Sequence, residues 1–177
     1  MKDVKLIEPS LIYKESFLEF VQDVKNMGYE SYELYTKAEE DFEEFVMDLT
    51  NSSKGLNIQK GWSPCSSYWL IDDSCEVVGV IRIRHRVDSD YLQMIGQIGY
   101  EIKSCRRKEG FGSELLELGL IEARKIGLEK VLITCDEDNL GSLRIIEKFN
   151  GKYKQAFIVD ESGKNVLQYE ISTNNSL

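Results

Sequence analysis

The stretch from Gln97 to Ile133 constrains the fold more than any other part of the chain. Gln97 to Lys103 reads as a strand, and it leads into Arg107 to Gly112, a short segment with two glycines. Leu116, Leu120, Ala123 and Ile126 then recur at helical spacing until Gly127 stops the pattern. Val131-Leu132-Ile133 follows as a short, continuously apolar strand of the kind buried on both faces. A strand, a helix of roughly 15 residues and a second strand make a βαβ unit, whose crossover sets the two strands parallel in one sheet.

The flanking segments read as antiparallel. Ser67 to Ile71 and Val77 to Ile83 are rich in β-branched and aromatic residues, with Asp72-Asp73-Ser74 as the turn of a hairpin. Tyr153 to Val159 and Val166 to Ile171 form a second hairpin around Asp160-Glu161-Ser162-Gly163, and the Ser172 to Leu177 tail is expected to fray. A short helix runs from Asn139 to Phe149 and ends at Asn150-Gly151. Toward the N-terminus, a strand at Val4 to Ile7 precedes a helix start at Pro9-Ser10, with Phe17, Phe20, Val21, Val24 and Met27 on one face. Thr36-Lys37-Ala38-Glu39 has the form of a capping box, and Ala38, Phe42, Phe45, Val46 and Leu49 make the stripe of a second helix. With no internal repeat and only Pro9 and Pro64 as proline breaks, the expectation is one α/β domain. Its mixed sheet is mostly antiparallel, has a central parallel pair and carries flanking helices.

Composition narrows the possible activities. The 177 residues are 42% hydrophobic and 30% charged, an ordinary globular balance. A chain of this size buries roughly 70% of the surface exposed when unfolded. With 31 acidic against 22 basic residues the formal charge is -9, which argues against nonspecific nucleic-acid binding and favours cationic small molecules or basic peptides. The longest apolar runs, such as Val77 to Ile81, fall far short of the roughly 20 residues of a membrane span. Met1-Lys2-Asp3-Val4-Lys5 lacks the apolar region of a secretion signal, so a cytoplasmic location is expected. Cys65, Cys75, Cys105 and Cys135 form no CxxC pair, and with one histidine, His85, no metal site is expected; the thiols read as reduced core residues.

The segment that carries chemistry is Ile102-Lys103-Ser104-Cys105-Arg106-Arg107-Lys108-Glu109-Gly110-Phe111-Gly112-Ser113, between a strand and a helix N-terminus. Unpaired N–H groups at a helix start sit at the positive end of its dipole and bind anionic oxygens. Gly110 and Gly112 would let the backbone approach a phosphate, and Arg106, Arg107 and Lys108 reverse the sign of a strongly acidic chain. Two readings stand: a bound polyanion, or a common turn with a solvated basic triplet. Leu115 occupies the third glycine position of a dinucleotide fingerprint, and the Gly-Lys-Ser/Thr of a P-loop is absent.

This segment resembles the pyrophosphate loop of the GNAT superfamily of acetyl-CoA-dependent N-acetyltransferases, Arg/Gln-x-x-Gly-x-Gly/Ala, written here as Arg107-x-x-Gly110-x-Gly112. The element order, the Val131 to Cys135 strand, and Asn139-x-x-Ser142 with Glu147-Lys148 extend the similarity. Tyr68-Trp69-Leu70, Val80 to His85, Ile98-Gly99-Tyr100 and Ile133-Thr134-Cys135-Asp136 look like a bacterial subgroup of acetyltransferases without an assigned substrate. The resemblance implies a single domain over residues 1–177, with residues 1–60 on the acceptor side and 95–151 as the acetyl-CoA core. It implies acetyl-CoA as co-substrate and no metal. Pantetheine would lie along the backbone of Tyr100, Glu101 and Ile102, one N–H there serving as oxyanion donor. Arg107 and the backbone of Lys108, Glu109, Gly110, Phe111, Gly112 and Ser113 would hold the pyrophosphate. Asn139 and Ser142 would contact the far side of the cofactor, and Lys148 its phosphates or adenosine end.

Direct transfer needs a neutral amine, hence a base. Glu101 is the leading candidate beside an alternative role as a strand carboxylate, because the position used by histone-type relatives is Gly96 here. The family's tyrosine acid falls at Ile146, which cannot donate a proton; Ser142, one turn earlier, could hydrogen-bond the sulfur or simply start the helix. Cys135 reads as core and His85 as a structural hydrogen-bonding residue. From Glu30 to Asp48 the chain carries Glu30, Glu33, Glu39, Glu40, Asp41, Glu43, Glu44 and Asp48 against Lys37 alone, beside Tyr29, Tyr32 and Tyr35. Those groups suit a cationic amine acceptor, or else form a solvated helix face. Trp62-Ser63-Pro64 is a substrate loop or a rigid connection. A homodimer is allowed for, and the alternative to an enzyme is a non-catalytic acyl-CoA-binding module.

Overall fold

The computed structural model describes residues 3–158 and 165–174. One seven-stranded sheet contains β1 (Lys5–Ile7), β2 (Cys65–Ile71), β3 (Val77–Arg84), β4 (Ile98–Ile102), β5 (Lys130–Asp136), β6 (Lys152–Ile158) and β7 (Asn165–Ser172), in the order β1-β2-β3-β4-β5-β7-β6. β4 and β5 are parallel, as the βαβ pattern requires, and every other neighbouring pair is antiparallel. The helices are α1 (Lys14–Asn26), α2 (Thr36–Glu40), α3 (Phe42–Ser53), α4 (Asp90–Ile95), α5 (Phe111–Lys125) and α6 (Leu140–Lys148).

Strand alternation sorts the apolar residues into two cores, one on each sheet face. On the first, Trp69, Ile71, Val77 and Val80 meet Phe17, Phe20, Val21 and Val24 of α1 and Phe42 and Phe45 of α3. Phe17 stacks on Trp69 with ring centroids 4.2 Å apart. On the second, Val78, Ile81, Ile83, Ile98, Val131 and Ile133 meet Phe111, Leu115, Leu116 and Leu120 of α5 and Ile146 of α6. Each such fully buried apolar side chain contributes about 1.5–3 kcal/mol, and the two cores clamp β2 and β3 from both sides.

Several local expectations change. The capping box at Thr36 does not form: Tyr35 before it is already helical, and the Thr36 hydroxyl turns back to the Glu33 carbonyl. The helix instead breaks at Asp41, whose extended backbone and side chain accepting from Glu44 N at 2.9 Å make it the N-cap of α3. β5 is not buried on both faces: Val131, Ile133 and Cys135 are buried, while Leu132 and Thr134 are half-buried. On its second face β5 meets the short helix α4, absent from the sequence expectation, with the Thr134 hydroxyl donating to the Ile95 carbonyl. α4 is capped by Ser89 and too brief to show a stripe. Of the expected tail, Thr173 is 2% exposed and its hydroxyl donates to the Leu128 carbonyl at 2.7 Å, while residues 175–177 lie outside the described residues. The expected turn at residues 160–163 lies outside the described residues.

Candidate active site

β4 and β5 share one register pair, Ile98 with Ile133, reinforced by Gln97, whose N–H donates to the Leu132 carbonyl at 2.7 Å and whose side chain accepts from Leu132 N at 2.9 Å. Past that point β4 continues only with β3, to Ile102 opposite Gly79, and β5 only with β7, to Asp136 opposite Val166. The two parallel strands therefore part toward their C-terminal ends. Tyr100 to Ile102 wall one side of the wedge and Thr134 to Asp136 the other.

The loop at the mouth of the wedge is held by side chains distant in sequence. Asp23 of α1 accepts from both the N–H and the hydroxyl of Ser104, and Lys103 pairs with Glu76 at 2.6 Å. The expected basic triplet divides into separate jobs, which corrects its reading as one phosphate site. Arg106 is an anchor: it pairs with Asp72 at 2.9 Å, with Glu76 and with Glu109, and covers the Phe111 ring. Arg107 donates to the Ile102 carbonyl at 3.3 Å and to the Tyr29 hydroxyl at 2.7 Å, which aligns it along the strand end. Lys108 is exposed with a left-handed backbone, φ 62°.

The glycines also divide. Gly110 is the N-cap of α5 with φ 97°, and a Cβ there would meet nothing within 4 Å, so the position demands glycine for its backbone and leaves open space above it. No side chain caps the helix. At Gly112 a Cβ would sit 2.8 Å from Ile145 Cδ1, so this glycine lets α5 pack on α6. Phe111 is 1% exposed, leaving its backbone to face the loop, while Ser113 N already donates to the Gly110 carbonyl at 3.0 Å. Asn139 caps α6 by accepting from Ser142 N at 3.1 Å. Lys148 lies one turn beyond Ile145 on the same helix side, over the Phe149 ring.

This strand, loop and helix arrangement coincides with a match to the family model of the acetyltransferase (GNAT) domain, which spans residues 7–152. The chain belongs to the GNAT acetyltransferase family. Solved structures share the fold at low identity. A ribosomal-protein alpha-N-acetyltransferase, RimL, in complex with coenzyme A superposes with a TM-score of 0.71 at 15% identity, covering 96% of this chain and 93% of that one. The self-immunity acetyltransferase MccE, in complex with acetyl-CoA and AMP, gives 0.71 at 13% identity, over 96% and 92%. A spermidine N-acetyltransferase chimera from Vibrio cholerae and the human enzyme gives 0.64 at 12% identity, over 98% and 97%. The curated proteins searched yielded no match.

Within this GNAT domain, the potential proton carriers lie on both sides of β4. Glu101 points toward the N-terminal helices, where its Oε2 accepts from the Tyr35 hydroxyl and lies 3.6 Å from Arg82 Nη1. Arg82 also donates to the Tyr35 oxygen. Tyr35 is 3% exposed, and burial pushes its phenol far above the ordinary value, with the Glu101 charge adding to the rise and Arg82 opposing it. The sequence offers Tyr35 only as one of three tyrosines on the acceptor side, not as a partner of Glu101, and does not single out Arg82 for the site. The available signal was Arg82 itself, a cation alternating with Ile81 and Ile83 in a strand whose other face is core. Beside this triad lies a mostly apolar cavity of about 120 Å³ lined by Leu34, Tyr35, Phe45, Leu49, Trp69 and Arg82. Trp69 Nε1 and Arg82 Nε are buried without hydrogen-bond partners.

Tyr100 points to the opposite face, where its phenol is buried and also lacks a partner. Ile146 is fully buried in that core. Cys135 is 9% exposed, and burial together with Asp136 pushes its thiol up to about 11, which suits a core residue. His85 meets Ser66 Oγ at 2.8 Å, a structural bond, and burial with Arg86 beside it lowers its pKa.

The acidic N-terminal face is more self-satisfied than its composition implies. Glu39 pairs with Lys25 and accepts from the Tyr32 hydroxyl, Lys37 pairs with Asp48 and Glu44, and Asp41 is a helix cap. Tyr29 and Tyr35 are engaged with Arg107 and Arg82, so the three tyrosines do not form an open aromatic cage. Trp62 is exposed and packs edge-on against Tyr91 of α4. Among the described residues no cluster of histidine, cysteine and carboxylate groups could hold a metal ion, and no helix is long and apolar enough to cross a membrane.

Proposed function

We propose that this chain transfers the acetyl group of acetyl-CoA directly to a primary amine of a small molecule or peptide. The observation that carries the reading is the parting of β4 and β5 beside a helix start that no side chain caps, with Gly110 in a conformation that opens space over it. A pantetheine arm requires an extended slot with free strand edges, and a pyrophosphate requires backbone donors and cations at its mouth. Residues 95–151 supply both.

When bound, acetyl-CoA supplies an electrophilic thioester carbonyl. Arg107 and the backbone from Lys108 to Gly112 hold its phosphates, with Asn139, Ser142 and Lys148 flanking from α6. A backbone N–H near Tyr100 polarises the carbonyl as an oxyanion donor. Glu101 receives the acceptor's proton, directly or through water, on the face covered by residues 1–60. Tyr35 and Arg82 fix its Oε2, which leaves Oε1 clear of those contacts. Arg82 sets a positive charge 3.6 Å from that carboxylate.

The acceptor reaches Glu101 past α2 and α3, where the exposed carboxylates that remain unpaired favour a cationic amine. The cavity beneath them offers N–H donors and apolar walls, so a positive group would stay with the surface carboxylates. Incubation with acetyl-CoA and a panel containing spermidine, lysine and a basic peptide with a free N-terminus, read by free thiol and product mass, tests the proposal. Acetylated product is expected. Tight binding of acetyl-CoA with no thiol released on any amine would replace the enzyme with a binding module.

A further inference from the structure

We propose that Tyr100 is the proton donor to the departing coenzyme A sulfur, acting from β4. This inference rests on the acetyltransfer reading above and assigns a residue to the step for which α6 offers only Ile146 at the expected tyrosine position. Three observations converge on Tyr100.

The first is register. Tyr100 lies two residues past Ile98 and Cys135 two past Ile133, and Ile98 with Ile133 is the last pair joining the strands. Side chains two apart share a face, so Tyr100 and Cys135 project to the α5 and α6 side at the depth where the wedge has opened. The second is hydrogen bonding. The Tyr100 oxygen is inaccessible to solvent and has no partner, an uncommon state for a buried hydroxyl. A sulfur atom arriving in the wedge would supply the missing acceptor. The third is the neighbourhood. Burial pushes the Tyr100 phenol above its ordinary value, and the Ser142 hydroxyl beside it, outside good bonding geometry, offsets part of the rise. The other titratable groups around this spot are Cys135, Asp136 and Tyr169. None of these three groups is a cation that could stabilise a thiolate.

The step balances as follows. The amine nitrogen bonds to the carbonyl carbon and loses a proton to Glu101 or water on the acceptor face. As the C–S bond breaks, its electron pair goes to sulfur, and Tyr100 delivers its O–H proton there. Ser142 then relays a proton from water to the phenolate. The low-polarity wedge that raises the phenol's proton affinity raises that of the sulfur as well, which keeps the transfer between matched groups.

Tyr100→Phe in the full-length chain is the test, with two readings. Coenzyme A bound to the wild type is titrated by thiolate absorbance. Loss of the hydrogen bond should make the thiolate about tenfold less favoured at a given pH in the variant. With the best amine found, kcat should fall about 100-fold while the acetyl-CoA dissociation constant stays within about threefold. Replacing Tyr100 by a fluorinated, more acidic tyrosine gives a second check if the phenylalanine variant folds poorly: the alkaline limb of kcat should move down in pH. An unchanged kcat and thiol titration in Tyr100→Phe, or an alkaline limb that stays in place, overturns the assignment, and a loss confined to Ser142→Ala transfers it to that serine. Wild-type protein that binds acetyl-CoA but releases no thiol with any amine refutes the acetyltransfer reading itself, and the donor role falls with it.

Discussion

Tyr100 and Glu101 are neighbours in the chain, yet the pleat of β4 sends them into opposite environments. Glu101 faces the N-terminal helices and is held by Tyr35 and Arg82. Tyr100 faces α5 and α6 and has no hydrogen-bond partner. A single strand can thus present a satisfied, charged group to one reactant and an unsatisfied neutral donor to the other. The same backbone stretch between them is free to hydrogen-bond in the plane of the sheet. Under the proposed roles, with a proton taken on one face and delivered on the other, this separation would keep the two transfers from short-circuiting.

The comparison can be broken in graded ways. The largest effect is expected where both sides depend on one loop. Gly110→Val places a β-branched residue at φ 97°, and acetyl-CoA affinity measured by calorimetry should fall at least about 100-fold. Next is the charged side of the strand. Glu101→Gln should lower kcat about 10- to 100-fold with little change in the KM for acetyl-CoA, because only the acceptor's proton has lost its destination. A fall in acetyl-CoA affinity instead would place Glu101 on the cofactor side and dissolve the contrast with Tyr100.

The smallest effect concerns loop anchoring. Arg106→Ala removes the cation paired with Asp72, whose side chain is 4% exposed, and should cost about 1–3 kcal/mol in urea unfolding at neutral pH. Burial alone would raise the Asp72 carboxyl. The Glu76 N–H, Ser74 and Arg106 outweigh it and hold the group below its ordinary value. A depressed carboxyl stabilises the fold above its unfolded pKa, about 3.9, and that contribution is lost as pH falls through the folded value. The gap between wild type and Arg106→Ala should therefore narrow in urea titrations below about pH 4. A gap that widens on acidification would contradict the pairing.

The parallel pair and the glycine loop were legible because both are local: periodicity across a strand and a helix, and a spacing of a few residues. The same holds for the short helix that the sequence starts at Asn139, observed as Leu140–Lys148. What was hidden is built from contacts between residues far apart. Glu101 meets Tyr35 across 66 positions and Ser104 meets Asp23 across 81, and neither partner carries a motif. The basic triplet misled for the same reason. Three adjacent cations look alike in one dimension, and only folding shows that Arg106 is consumed by the hairpin turn between β2 and β3. At Gly112 the missing Cβ also serves packing, since one there would sit 2.8 Å from Ile145 Cδ1, a contact that no local spacing reveals.

The most direct measurement of the central claim is amide hydrogen exchange with and without acetyl-CoA. Slowed exchange concentrated in residues 99–102, 108–112 and 134–136 is the expected result, because the wedge and the start of α5 would gain hydrogen-bond partners there. Protection confined to other segments, or none at saturating acetyl-CoA, would contradict the account.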